Sequence, residues 1–123
     1  MANILVADDE INILEVITDV LENAGHDVTP VGDGEAALAQ LKKNQFDVAL
    51  LDVMMPRLDG YHLSAMIHGL PRRPKIIIIS ARDFDADRSA IVAAGVDAFL
   101  SKPFSNKELL EAVTKLLDSP APF

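Results

Sequence analysis

Phe46-Asp47-Val48-Ala49-Leu50-Leu51-Asp52-Val53-Met54-Met55-Pro56 is the stretch that decides the fold. Its apolar run from Val48 to Leu51 leads straight into one carboxylate and stops near a proline. An unbroken apolar run of this length, with turn signals close behind it, reads as a strand buried on both faces of a parallel sheet. Asp52 then stands at the carboxyl end of the strand, the edge where open α/β sheets bind ligands. The same pattern occurs earlier, where Ile4-Leu5-Val6-Ala7 runs into Asp8-Asp9-Glu10.

Outward from these two strands, short apolar runs alternate with segments of helical period. Ile13, Leu14, Ile17, Val20, Leu21 and Ala24 recur at helical spacing after the first strand, and Gly25 ends that helix. Residues 27–31 form a short second strand. Asp33 caps a helix with Ala37, Leu38 and Leu41 on its apolar face, and Lys42-Lys43 closes it where the helix dipole favours cations. Asp59 caps a third helix carrying Leu63, Met66 and Ile67. Ile76-Ile77-Ile78-Ile79 is β-branched throughout and marks the fourth strand, ending in Ser80. Residues 83–94 read as a helix stopped by Gly95, and residues 96–100 as the fifth strand. Ser105-Asn106-Lys107-Glu108 is a capping box opening a last helix with Leu109, Leu110, Val113, Leu116 and Leu117 inward. Five strands alternating with five helices imply βαβ units, a parallel sheet and helices on both faces.

Composition narrows the function. The 123 residues suit one domain, with residues 119–123 as a tail or the start of a linker. Eleven Lys and Arg against nineteen Asp and Glu give a net charge of −8, which argues against direct nucleic-acid binding. No cysteine is present, which removes disulfides, thiolate metal sites and thiol nucleophiles and fits a cytoplasmic protein. The N-terminus does not read as a signal peptide, and no apolar stretch approaches the ~18 residues of a membrane span.

Four strands therefore deliver polar groups to one edge: Asp8 and Asp9, Asp52, Ser80 and Lys102. Taken singly, each has an ordinary explanation, such as acids favouring a helix N-terminus or a lysine at the surface. Those explanations fail jointly, because they do not account for the shared edge. Carboxylates at ~4 Å repel by about 4 kcal/mol at an effective dielectric of 20, so a raised pKa, a cation or a metal must offset them. Oxygen donors without His or Cys suit a hard cation, and Mg²⁺ typically shares such a site with a phosphate.

Asp8-Asp9, Asp52, Met55-Pro56-Arg57-Leu58-Asp59-Gly60, Ser80-Ala81 and Lys102-Pro103-Phe104, in this order and spacing, resemble the receiver domains of two-component response regulators. The resemblance covers residues 3 to about 118 and implies the flavodoxin-like strand order 2-1-3-4-5. That order sets the first and third strands side by side, as converging carboxylates require. The resemblance also implies that Asp52 accepts a phosphoryl group from a sensor histidine kinase or a phosphotransfer protein. Asp9 and Asp52, with the Met54 backbone carbonyl, would hold Mg²⁺, and Asp8 would help through water. Ser80 and Lys102 would bind the phosphoryl oxygens, and Phe99 matches the switch aromatic. Met54 and Arg82 stand at positions that tune dephosphorylation, and Lys102-Pro103 matches a cis peptide bond. The implied output is a change on the face formed by the helix over residues 83–94, the fifth strand and the last helix, read by a downstream protein or output domain. Apart from self-phosphorylation and autodephosphorylation, no enzymatic activity is implied. Many DNA-binding members carry two adjacent Asp before the switch aromatic and a basic residue on the last helix. Here Asp97 is followed by Ala98, and Ala112 occupies the helix position.

Two other classes compete. A phosphohydrolase with an aspartyl-phosphate intermediate resembles a pattern of two Asp separated by one residue after the first strand. A flavodoxin-like cofactor binder needs a Gly/Ser/Thr-rich phosphate loop where Asp8-Asp9-Glu10 stands. Neither pattern is present.

Overall fold

The computed structural model describes residues 2–53, 55, 60–67, 69–70, 73–80 and 96–118. Five parallel strands form one sheet: β1 (Asn3–Ala7), β2 (Asp27–Val31), β3 (Val48–Asp52), β4 (Lys75–Ser80) and β5 (Ala98–Ser101). Their order is β2-β1-β3-β4-β5, as the resemblance implies. Four helices lie among the described residues: α1 (Ile11–Asn23), α2 (Gly34–Lys43), α3 (Gly60–Ile67) and α4 (Asn106–Leu117). The helix expected over residues 83–94 lies outside the described residues, as do Met54, Arg82 and the tail over residues 119–123.

Alternation along the buried strands sorts the core into two layers. Ile4 and Val6, Val48 and Leu50, and Ile77 and Ile79 face one way and meet Ile17 and Leu21 of α1 and Leu109, Val113 and Leu116 of α4. Leu5 and Ala7, Ala49 and Leu51, and Ile76 and Ile78 face the other way and meet Ala37 and Leu41 of α2 and Leu63 and Ile67 of α3. All four isoleucines of β4 are fully buried, so both faces of the strand are covered. Burying each such side chain is worth about 1.5–3 kcal/mol, which makes the central strands the most strongly held part of the sheet. Strand β2 is only partly buried, and it tolerates Pro30 because it lies at the sheet edge.

Local signals close the elements as the sequence predicts. Asp33 accepts from Ala36 N at 2.7 Å to cap α2. Ser105 Oγ accepts from Glu108 N at 3.0 Å, and Glu108 Oε1 accepts from Ser105 N at 3.1 Å. Gly25 ends α1 with φ +94°, a conformation that favours glycine. Strand β5 begins two residues later than the sequence suggests. Asp97 takes the Ile76 N–H with its side chain at 2.8 Å, so residue pairing starts with Ala98 opposite Ile77. No helix among the described residues is long and apolar enough to cross a membrane.

The register carries function into place. Ala7 pairs with Leu51, Asp52 with Ile79, and Ser80 with Ser101. The ends of β1, β3, β4 and β5 therefore meet at one edge of the sheet.

Candidate functional site

At that edge Asp8 and Asp52 are buried, with 0% and 2% of their surface exposed. Each is carried there by an apolar strand, since β1 and β3 are neighbours and their ends are level. Lys102, one residue past β5, reaches back across the edge. Its Nζ donates to Asp52 Oδ2 at 3.2 Å. It also lies 3.4 Å from Asp8 Oδ2 and 3.4 Å from Glu10 Oε1. The Lys102–Pro103 peptide bond behind it is cis.

Three carboxyl groups thus face one ammonium. Asp8 Oδ1 accepts from the Glu10 N–H at 2.9 Å. Asp8 Oδ2 is buried and makes no hydrogen bond, being within ion-pair range of Lys102 but not in hydrogen-bond geometry. Burial pushes the Asp8 carboxyl up to about 6 from 3.8; the Glu10 N–H opposes the shift, and Asp52 beside it adds to it. At Lys102, burial works against the charged form, but Asp52 and then Asp8 overcome it and hold the ammonium above its ordinary range.

Carboxylate oxygens of Asp8, Glu10 and Asp52 all lie within 4.8 Å of one another. A buried oxygen without a hydrogen bond among the described residues, inside a cluster of hard donors, fits a hard divalent cation, because positive charge there would relieve the repulsion between neighbouring carboxylates.

The sequence-derived site residues divide into groups. Asp8, Asp52 and Lys102 come together. Asp9 is exposed and is not one of the three clustered acids. Ser80 ends β4 at the same edge. Phe99, on β5, is half-buried and packs against the layer that contains α2 and α3. Met54 and Arg82 fall outside the described residues. Glu10 is the residue that sequence reasoning did not single out. The available signal was its spacing: past the end of a strand, residues two apart can return to the same side, and Glu10 is two beyond Asp8.

Comparison with known proteins agrees with this geometry. The family model described as "Response regulator receiver domain" matches residues 4–114. The regulatory protein VanRc of Enterococcus gallinarum is 36% identical over 110 residues, covering 89% of this chain and 47% of that protein. The chain spans about half the length of the curated relatives it matches. Chemotaxis response regulator CheY4 of Vibrio cholerae superposes with a TM-score of 0.89 at 29% identity, covering 94% of this chain and 98% of that one. The receiver domain of sensor histidine kinase PA1611 from Pseudomonas aeruginosa PAO1, solved with a magnesium ion coordinated in its active-site cleft, superposes with a TM-score of 0.87 at 32% identity, covering 96% and 98% of the two chains. With the strand order, the buried acid pair and the lysine all in place, the chain belongs to the family of response regulator receiver domains.

Proposed function

We propose that this receiver domain takes a phosphoryl group on Asp52, in a Mg²⁺-dependent reaction, from a sensor histidine kinase or a phosphotransfer protein. The observation that carries this reading is Asp52 itself: a carboxylate 2% exposed at the end of the central strand, hydrogen-bonded to Lys102 and beside the unbonded Asp8 oxygen. A carboxylate oxygen attacks phosphorus, the bond from phosphorus to the donor nitrogen breaks, and an acyl phosphate forms. The ammonium of Lys102 neutralises charge on the phosphoryl oxygens, and the Ser80 hydroxyl is assigned as a donor to them.

Asp52 is assigned as a ligand of the cation and Asp8 as reaching it through water, with Glu10 beside them. The family resemblance adds Asp9 and the Met54 carbonyl to the ligand set. Bound Mg²⁺ supplies positive charge against the carboxylates and the transferring group. Met54 and Arg82 are assigned to tuning the lifetime of the phosphoryl group. Ser80 and Phe99 are assigned to relaying its presence to the face made by residues 83–94, β5 and α4, where a downstream protein or output domain reads it. Residues 1–118 are the proposed receiver unit.

Intact mass after incubation with Mg²⁺ and a small phosphodonor tests the reading. Wild type gains one phosphoryl group and Asp52→Asn gains none, because an amide is a poor nucleophile. Equal labelling of the two proteins would remove Asp52 from the reaction.

A further inference from the structure

Glu10 is the N-cap of α1, yet its side chain makes no capping hydrogen bond. Residues favoured at that position are Ser, Thr, Asp and Asn, whose short side chains accept an N–H from the first turn. Capping therefore does not account for a glutamate here. The Glu10 backbone N–H is held by Asp8 Oδ1 at 2.9 Å, which anchors the residue at the pocket. Its Oε1 turns away from the helix to Lys102 Nζ at 3.4 Å, across 92 residues of chain.

Among the described residues, three acceptors surround Lys102, and they differ in freedom. Side-chain exposure is 0% for Asp8, 3% for Asp52 and 61% for Glu10. Two acceptors are fixed in the core, and the third stands at the mouth of the pocket with its stem in solvent. A divalent cation on the buried oxygens repels an ammonium that lies 3.2 Å from Asp52. Lys102 then needs another acceptor, and Glu10 is the one whose side chain can move with it. We propose that Glu10 is a positioning residue that keeps Lys102 at the mouth of the pocket when a divalent cation occupies the acid cluster, so that the ammonium stays beside the phosphoryl site. This rests on the receiver reading above and adds a role for a residue outside its ligand set.

Two measurements decide it. In metal-free protein, NMR of the lysine ammonium groups follows how fast Lys102 exchanges its protons with water. Exchange is faster in both Glu10→Gln and Glu10→Asp, since the first loses the charge and the second the reach. Unchanged exchange overturns the contact. Calorimetric titration with Mg²⁺ then shows both variants weakened roughly three- to five-fold, the scale of one exposed ion pair. In a Lys102→Met background, Glu10→Gln leaves Mg²⁺ affinity unaltered. If the loss persists without Lys102, Glu10 acts on the cation itself and the proposal fails. If Glu10→Asp binds Mg²⁺ like wild type, charge alone suffices and the proposal fails too. Absence of Mg²⁺ binding to wild type overturns the receiver reading, and the ammonium signal then decides alone whether Glu10 holds Lys102.

Discussion

The two edges of the sheet use the same residue types in opposite ways. At the amino edge, Asp47 Oδ2 accepts from Asn3 N at 2.8 Å, and Asp97 Oδ2 accepts from Ile76 N at 2.8 Å while pairing with Arg73 at 3.4 Å. There Lys75 Nζ also donates to Leu116 O at 2.6 Å, closing the carbonyl end of α4. Each of these aspartates meets a backbone donor that a strand start leaves open. At the carboxyl edge, Asp8 and Asp52 are more deeply buried, three acids face one lysine, and one Asp8 oxygen makes no hydrogen bond. Among the described residues, the acids of the amino edge are met by backbone donors and Arg73, whereas at the carboxyl edge three acids share the ammonium of Lys102. The difference separates acids that complete the fold from acids gathered around one lysine, although both follow from strand ends rich in Asp.

Four experiments test that contrast. The largest effect is expected at Asp52: Asp52→Asn abolishes phosphoryl labelling and leaves the amino edge intact. Retained labelling would place the acceptor elsewhere.

Next is the pH dependence of stability. The Asp8 carboxyl is raised in the folded protein, so between about 4 and about 6 the folded state binds more protons than the unfolded state. The contribution of Asp8 is full below pH 4 and is lost as pH rises through 6, on the order of 2 kcal/mol. Metal-free urea melts should therefore show this loss in wild type, and Asp8→Asn should flatten it. Asp8→Asn should also weaken Mg²⁺ binding by about tenfold or more, as loss of a buried charged ligand would. An equally steep pH profile in the variant would mean that Asp8 is not the strained group.

The opposite sign is expected at the amino edge. Asp97→Ala strands the Ile76 N–H and removes the ion pair with Arg73, and should destabilise by about 1–3 kcal/mol without changing Mg²⁺ affinity. Chemical denaturation and calorimetry together check both halves, and a changed affinity would show that the edges are coupled.

Smallest is Lys75→Met, which removes the hydrogen bond to Leu116 O at the end of α4 and should cost about 1 kcal/mol with labelling unaffected. A larger loss, or impaired labelling, would mean that the α4 end supports the site.

What the sequence determined by itself was whatever depends on neighbouring residues. The apolar strand runs, the helix periods outside residues 83–94, the Asp33 cap, the Ser105–Glu108 capping box and the carboxylates ending two apolar strands are local patterns, and the structure shows each of them. The strand order was legible only through family resemblance, since periodicity does not say which strands pair. Tertiary structure alone decided which acids face Lys102. In sequence, only the two-residue spacing of Asp8 and Glu10 sets them apart from Asp9. The pairing of β1 with β3 buries Asp8, and the turn into α1 sends Glu10 toward Lys102 while Asp9 stays exposed. It likewise decided that Asp97 serves Ile76 and that Lys75 serves Leu116, because those contacts span 21 and 41 residues and depend on register. Local chemistry sets where an acid stands along the chain, but its surroundings are set by strands distant in sequence, and those surroundings determine whether it is satisfied.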